Sequence, residues 1–183
     1  MNKGIFFDRD GVINDNKKPV NRPEELILYD GVKEALKKAA DAGFEIFIVT
    51  NQGGIELGHI THEDLNDIHN NLSQKLEGYC NIREIAYCPD FKKPSSCRKP
   101  KPGMILDLAK RHNVDLVNSW MVGDLETDIS AGLEAGCRTA KIGKLDERAD
   151  INEAEIKRNA SRKVDLEAVV EEIIKKASQS YLN

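Results

Sequence analysis

Two aspartates one residue apart, Asp8 and Asp10, follow a short apolar run, Ile5-Phe6-Phe7, and precede Gly11. The run reads as a buried strand. Backbone that stays near-extended past it points both carboxylates to one side. Two carboxylates at the end of a buried strand are costly to leave unpaired, and a divalent cation is their natural partner. Gly11 lets the chain turn away through backbone angles other residues avoid. Such a pair could attack phosphorus, hold Mg²⁺ and move a proton within one small site. A strand running into a polar turn would show the same local pattern. An EF-hand calcium loop also begins this way, but it needs a preceding helix and ligands at fixed later positions, which Val12, Asn14 and Asn16 do not supply.

Other polar clusters have chemical potential: Thr50-Asn51-Gln52-Gly53-Gly54, Arg98-Lys99-Pro100, and Gly123-Asp124 with Asp128 a turn later. Each has a plain structural reading as a helix cap, a turn or a solvated ion pair. Together they supply the parts of one reaction. In-line attack on a phosphate monoester needs a nucleophile, neutralisation of the equatorial oxygens and a protonated leaving group. Asp8 would be the nucleophile and form an aspartyl-phosphate. Asp10 would protonate the leaving alkoxide and then activate the hydrolytic water. Thr50, Asn51 and Lys99 would stabilise the transferring phosphoryl group. Mg²⁺ is expected at Asp8, Asp10 and Asp124, screening the repulsion between attacker and target. Asp128 would orient Lys99 or the metal's waters.

Those residues need a scaffold that brings them together. Strand signals at 4–8, 45–49, 83–87, 119–123 and 137–142 alternate with helical patterns. Val32, Ala35, Leu36 and Ala39 form one helical face, stopped by Gly43. Leu65, Ile68, Leu72 and Leu76 form another, with Thr61 as N-cap. Pro102 opens a third, Leu125 to Ala135 is a fourth, and Leu166 to Ile174 forms an amphipathic last helix. Residues 160–164 read as a short strand, and 143–160 as a surface connection or short helix. This alternation predicts a Rossmann-like three-layer α/β sandwich with a mainly parallel sheet, in one domain over 1–183. Such sheets bind ligands beyond the carboxyl ends of their strands, where the polar clusters fall.

The chain has 183 residues, 40% of them hydrophobic, enough for one full core. A net charge of −4 argues against a basic nucleic-acid-binding face. No stretch has the length of a membrane span. Met1-Asn2-Lys3 leads straight into a strand, so a cytoplasmic location is expected. The four cysteines, Cys80, Cys88, Cys97 and Cys137, are then expected as reduced thiols. With no long apolar helix face left over, a monomer is expected.

The four clusters, Asp8-x-Asp10-Gly11, Thr50-Asn51, Lys99 and Gly123-Asp124-x₃-Asp128, match in order the four motifs of the haloacid dehalogenase-like phosphatases, over residues 4–142. The resemblance implies the same fold and the roles given above. Phe7-Asp8-Arg9-Asp10-Gly11, Val49-Thr50-Asn51-Gln52-x-Gly54-Ile55, Tyr87-Cys88-Pro89 and Arg98-Lys99-Pro100-x-Pro102-Gly103-Met104 resemble more closely the D-glycero-D-manno-heptose-1,7-bisphosphate 7-phosphatases. The phosphatase domain of histidinol-phosphate phosphatase is a near relative. The resemblance implies a small phosphorylated sugar as substrate, recognised by Arg98 and by Asn16, Lys17, Lys18 and Pro19, with Gln52 and Gly53 beside them. Members of this family often carry a four-ligand zinc loop. Here its positions are Cys88, Asp90, Ser95 and Cys97, so two ligands are missing and no structural zinc is expected. The residue after Asp124, often a phosphate-holding Lys in the family, is Leu125. The segments between Gly11 and the helix at 32, and between the strand at 83–87 and Lys99, are too short for a cap domain. Histidinol phosphate as substrate, a non-catalytic phosphosugar-binding protein and a polynucleotide 3′-phosphatase remain the alternatives. The acidic charge weighs against the last.

Overall fold

The computed structural model describes residues 1–144, 146–152 and 166–179. Five strands, β1 (Gly4–Phe7), β2 (Glu45–Asn51), β3 (Ile82–Cys88), β4 (Trp120–Gly123) and β5 (Arg138–Lys141), lie where the apolar runs predict them. Between and after them come α1 (Val32–Asp41), α2 (His62–Leu76), α3 (Gly103–His112), α4 (Glu126–Ala135) and α5 (Leu166–Gln179). A further two-residue strand, β6 (Ile151–Asn152), completes a sheet of order β3-β2-β1-β4-β5-β6 in which every pairing is parallel.

Alternation along the strands divides the core. Ile5 and Phe7 pack with Ile46, Ile48, Trp120 and Val122 under α1, α2 and α5. Phe6, between them, joins Phe47, Val49 and Met121 on the opposite face, under α3 and α4. Both faces of a parallel sheet must be covered, and period two in the central strands supplies both linings. Thr61 caps α2, its Oγ accepting from the Asp64 N–H at 3.1 Å while the Asp64 carboxylate returns to the Thr61 N–H at 2.8 Å.

Three expectations need revision or fall outside the structure. Ile151 and Asn152 lie in the stretch read as a surface connection or short helix, yet they pair with Ala140 and Lys141 as β6. A two-residue edge strand owes its burial to that pairing and carries no period of its own. The strand expected at 160–164 lies outside the described residues. Cys88 and Cys97, expected as free thiols, are joined in a disulfide. The chain leaves β3 at Cys88 and folds back, which brings the two Cα atoms within 5.5 Å, inside bridging range. The expectation rested on compartment and could not anticipate that proximity. Cys80 and Cys137 are free.

Candidate active site

From β1 the connections run outward through β2 and β3 on one side, while β4 lies on the other. The order therefore switches between β1 and β4, the place where an open parallel sheet leaves a crevice. Asp8 leaves the end of β1 and Asp124 the end of β4, so both carboxylates reach this crevice.

Lys99 enters from the segment after β3, and its ammonium is fully engaged. Nζ donates to Asp8 Oδ1 at 2.8 Å and to the Val49 carbonyl at 2.9 Å, and it pairs with Asp128 Oδ1 at 2.6 Å. Burial opposes the Lys99 charge, but Asp8 and Asp128 outweigh it and raise its pKa above the ordinary lysine value. Burial pushes the Asp8 carboxyl up to about 8; Lys99 opposes the shift, and Asp128 and Asp10 add to it. Asp124 is also raised, by burial and by Asp128.

The carboxylates of Asp8, Asp124 and Asp128 can each place an oxygen within 4.8 Å of the others. Asp128 commits one oxygen to Lys99 and the other to the Leu125 N–H at 3.0 Å. Asp124 Oδ1 is buried without a hydrogen-bond partner. An orphaned buried carboxylate oxygen beside an upshifted carboxyl suits a hard cation: the donors are all oxygen, and a divalent charge would return both groups to their ionised forms. Gly11 makes this approach possible. Its φ is +89°, and a β-carbon there would fall 2.3 Å from Asp124 Oδ2.

The Asp10 carboxylate stands outside that group. It accepts from Arg9 Nη2 at 3.0 Å, from Asn14 Nδ2 at 3.0 Å and from Gln52 Nε2 at 2.9 Å. Gln52 Nε2 also donates to Thr50 Oγ at 2.7 Å, which leaves the Thr50 hydroxyl proton for another acceptor. Asn51 is committed to the main chain of Lys99: its Nδ2 donates to the Lys99 carbonyl and its Oδ1 accepts the Lys99 N–H, both at 3.0 Å. Thr50 and Asn51 are still strand residues, opposite Tyr87 and Cys88, so the sheet itself fixes them.

Beside Asp10 opens a cleft of about 700 Å³. Asn16, Lys18, Pro19, Gln52, Gly53 and Arg98 all line it. Arg98 is held by the Asp90 carbonyl at 2.8 Å and lies over the Phe91 ring. Lys17 is not part of that lining; its ammonium is exposed and pairs with Asp15 at 3.4 Å. Three residues that sequence reasoning did not single out belong to the neighbourhood. Arg9 is buried between Asp10 and His69. Buried Lys141, on β5, donates to the main-chain carbonyl of Asp124. Arg9 sits inside the Asp-x-Asp motif, where position alone could have flagged it; nothing in the patterns around His69 and Lys141 marks them.

A family profile described as HAD-hydrolase-like matches residues 96–161. The D-glycero-beta-D-manno-heptose-1,7-bisphosphate 7-phosphatase of Helicobacter pylori is 39% identical over 137 residues, covering 73% of this chain and 79% of that protein. The D-glycero-alpha-D-manno-heptose-1,7-bisphosphate 7-phosphatase of Photorhabdus laumondii is 37% identical over 155 residues, 77% of this chain and 84% of that protein. Among solved structures, the D,D-heptose 1,7-bisphosphate phosphatase of Bordetella bronchiseptica, complexed with magnesium and phosphate, superposes with a TM-score of 0.81 at 31% identity, over 95% of this chain and 99% of that one. By identity, coverage and fold, the chain belongs to the D-glycero-D-manno-heptose-1,7-bisphosphate 7-phosphatase family of HAD-like hydrolases.

Proposed function

We propose that this chain is a Mg²⁺-dependent phosphatase that removes the 7-phosphate of D-glycero-D-manno-heptose 1,7-bisphosphate through an aspartyl-phosphate on Asp8. The observation that carries the reading is Asp8 gripped by Lys99, itself braced by Asp128, with the unpartnered oxygen of Asp124 alongside. Relatives that share this fold act, by name, on heptose bisphosphates.

An Asp8 oxygen attacks phosphorus as the bond to the sugar oxygen breaks. Asp10 delivers a proton to the departing alkoxide. Asp10 then takes a proton from a water, which attacks the phosphorus of the acyl-phosphate; phosphate leaves and Asp8 is regenerated. The Thr50 hydroxyl donates to a phosphoryl oxygen, and the charge of Lys99, whose three protons are committed to Asp8, Val49 and Asp128, offsets the negative charge that builds between Asp8 and the phosphoryl group. Asn51 and Asp128 fix Lys99 from the main-chain and side-chain ends. Mg²⁺, held by Asp8 and Asp124, would neutralise charge between the attacking carboxylate and the phosphate. Asn16, Lys18 and Arg98 would receive the sugar and its second phosphate in the cleft.

No helix among the described residues is long and apolar enough to cross a membrane. On the proposed reading the protein works as a cytoplasmic monomer.

The test is phosphate release with Mg²⁺ from both anomers of heptose 1,7-bisphosphate and from histidinol phosphate. Conversion of at least one anomer to heptose 1-phosphate is expected. No turnover of either anomer, or a marked preference for histidinol phosphate, overturns the proposal.

A further inference from the structure

Arg9 lies between the two aspartates in sequence and is 1% exposed. Its guanidinium has five N–H donors and no acceptor. Nη2 donates to both Asp10 oxygens at 3.0 Å, and Nε reaches Oδ1 at 3.3 Å. Nη1 turns the other way and meets Nε2 of His69, on the buried face of α2, at 3.2 Å. Arginine can only donate, so His69 Nε2 must carry a lone pair and the ring proton belongs on Nδ1. Burial, with the Arg9 charge beside it, pushes the His69 pKa down to about 3, which keeps the ring neutral.

We infer that His69, acting through Arg9, is a positioning residue for Asp10. The guanidinium is clamped between two acceptors from different layers of the fold. One is the carboxylate that moves the proton; the other is an imidazole sixty residues away in sequence. Without the imidazole acceptor, Nη1 becomes an unsatisfied donor in a buried setting. The fork then loses its fixed end on α2, and the Asp10 carboxylate, held on its other sides by Asn14 and Gln52, loses the anchored partner that sets its angle. Small displacements of a proton-transfer group are expensive in rate. His69 is not among the residues that line the substrate cleft, so its effect must pass through Arg9.

The inference rests on the proposed role of Asp10 as proton donor, and the experiment separates the two. Values of kcat/KM are measured with Mg²⁺ on heptose 1,7-bisphosphate, whose alkoxide needs a proton to leave, and on p-nitrophenyl phosphate, whose nitrophenolate does not. This parameter reports steps up to phospho-enzyme formation. Its ratio between substrates, taken on one preparation, is independent of the fraction folded. We expect His69→Leu to lose about 10- to 100-fold on the sugar phosphate but under about threefold on the aryl phosphate. His69→Gln, whose amide oxygen can accept from Arg9, should restore the wild-type ratio. Asp10→Asn serves as reference and should show the same contrast, larger. An equal loss on both substrates, or no loss, in His69→Leu while Asp10→Asn shows the contrast overturns the inference alone. Absence of the contrast in Asp10→Asn overturns the role of Asp10 and the inference with it.

Discussion

Gly123 sits directly beneath Asp128: a β-carbon added to Gly123 would fall 2.1 Å from the Cβ of Asp128. Both atoms belong to rigid parts of the fold, the end of β4 and the first turn of α4, so neither can yield without moving an element. Asp128 in turn holds Lys99 at 2.6 Å and caps α4 through the Leu125 N–H. Gly123→Ala should therefore destabilise the protein by about 1–3 kcal/mol, the usual range for overpacking, as read from urea denaturation. It should also lower kcat at least about tenfold, because Lys99 loses its brace. Wild-type stability and kcat in this variant would remove Asp128 from the site as described.

Asn51 lies at the end of β2, and its side chain satisfies both the N–H and the carbonyl of Lys99. Asn51→Ala leaves two partly buried main-chain groups without partners. A loss of about 1–3 kcal/mol is expected, from two hydrogen bonds and the exposed need of the groups that made them. Activity should fall further than stability, since the ammonium of Lys99 is aimed by that main chain. If Asn51 contacted the phosphoryl group directly instead, Asn51→Ala would raise KM with little change in the denaturation midpoint.

Asp124 carries an unpartnered buried oxygen and a carboxyl whose pKa is raised by burial and by Asp128. In metal-free protein that carboxylate is a liability. Asp124→Asn should raise the melting temperature in EDTA while abolishing the stabilisation that Mg²⁺ gives the wild type. Activity at saturating substrate should fall by orders of magnitude and recover little with added metal. A Mg²⁺-dependent thermal shift preserved in Asp124→Asn would place the cation elsewhere.

How much of this the chain announces varies by residue. Strands β1 to β5 and the helices on both faces follow from apolar period, because a parallel sheet buried on both sides leaves short apolar runs bounded by polar residues. Asp8, Lys99 and Asp124 are legible from motif and from their position after strands, and Thr50 from motif near the end of β2. The connection between Lys99 and Asp128 is legible only as a possibility, since it depends on how far α4 rotates its first turn. Arg9 and His69 are opaque for a different reason. A histidine next to Ile68 on a helix face reads as core, and its hydrogen bond runs to a layer that sequence spacing does not connect. The Cys88–Cys97 bridge fails for the same reason: loop closure at the end of β3 is a three-dimensional fact.

Asp8 and Asp10 should separate by behaviour. Asp8→Asn removes the nucleophile, so turnover with any phosphomonoester should vanish while inorganic phosphate with Mg²⁺ still binds, measured by calorimetry. Asp10→Asn should slow turnover while still allowing phosphate to reach Asp8, so a phospho-enzyme should be trapped by acid quench during the steady state. Near-normal rates in both variants would refute the assignment.

The His69 pKa is pushed down to about 3 in the folded protein, mainly by burial and then by Arg9, against an ordinary value of 6.5. Between those values the unfolded chain binds a proton at His69 that the folded protein refuses. The stability this histidine confers is therefore complete above pH 6.5 and is lost as pH falls toward 3, at no more than about 1.4 kcal/mol per pH unit. The upshifted carboxyl of Asp8 acts in the opposite sense, because its folded pKa of about 8 lies above the unfolded value of 3.8, so acidification favours the folded state there. Comparing wild type with His69→Gln cancels that contribution, since glutamine keeps an acceptor for Arg9 and does not titrate. The difference in unfolding free energy, wild type minus variant, should fall steadily from pH 7 to pH 4. Two stability curves that run parallel across that interval would mean that His69 takes up a proton in the folded protein, and that Arg9 is held by something other than its lone pair.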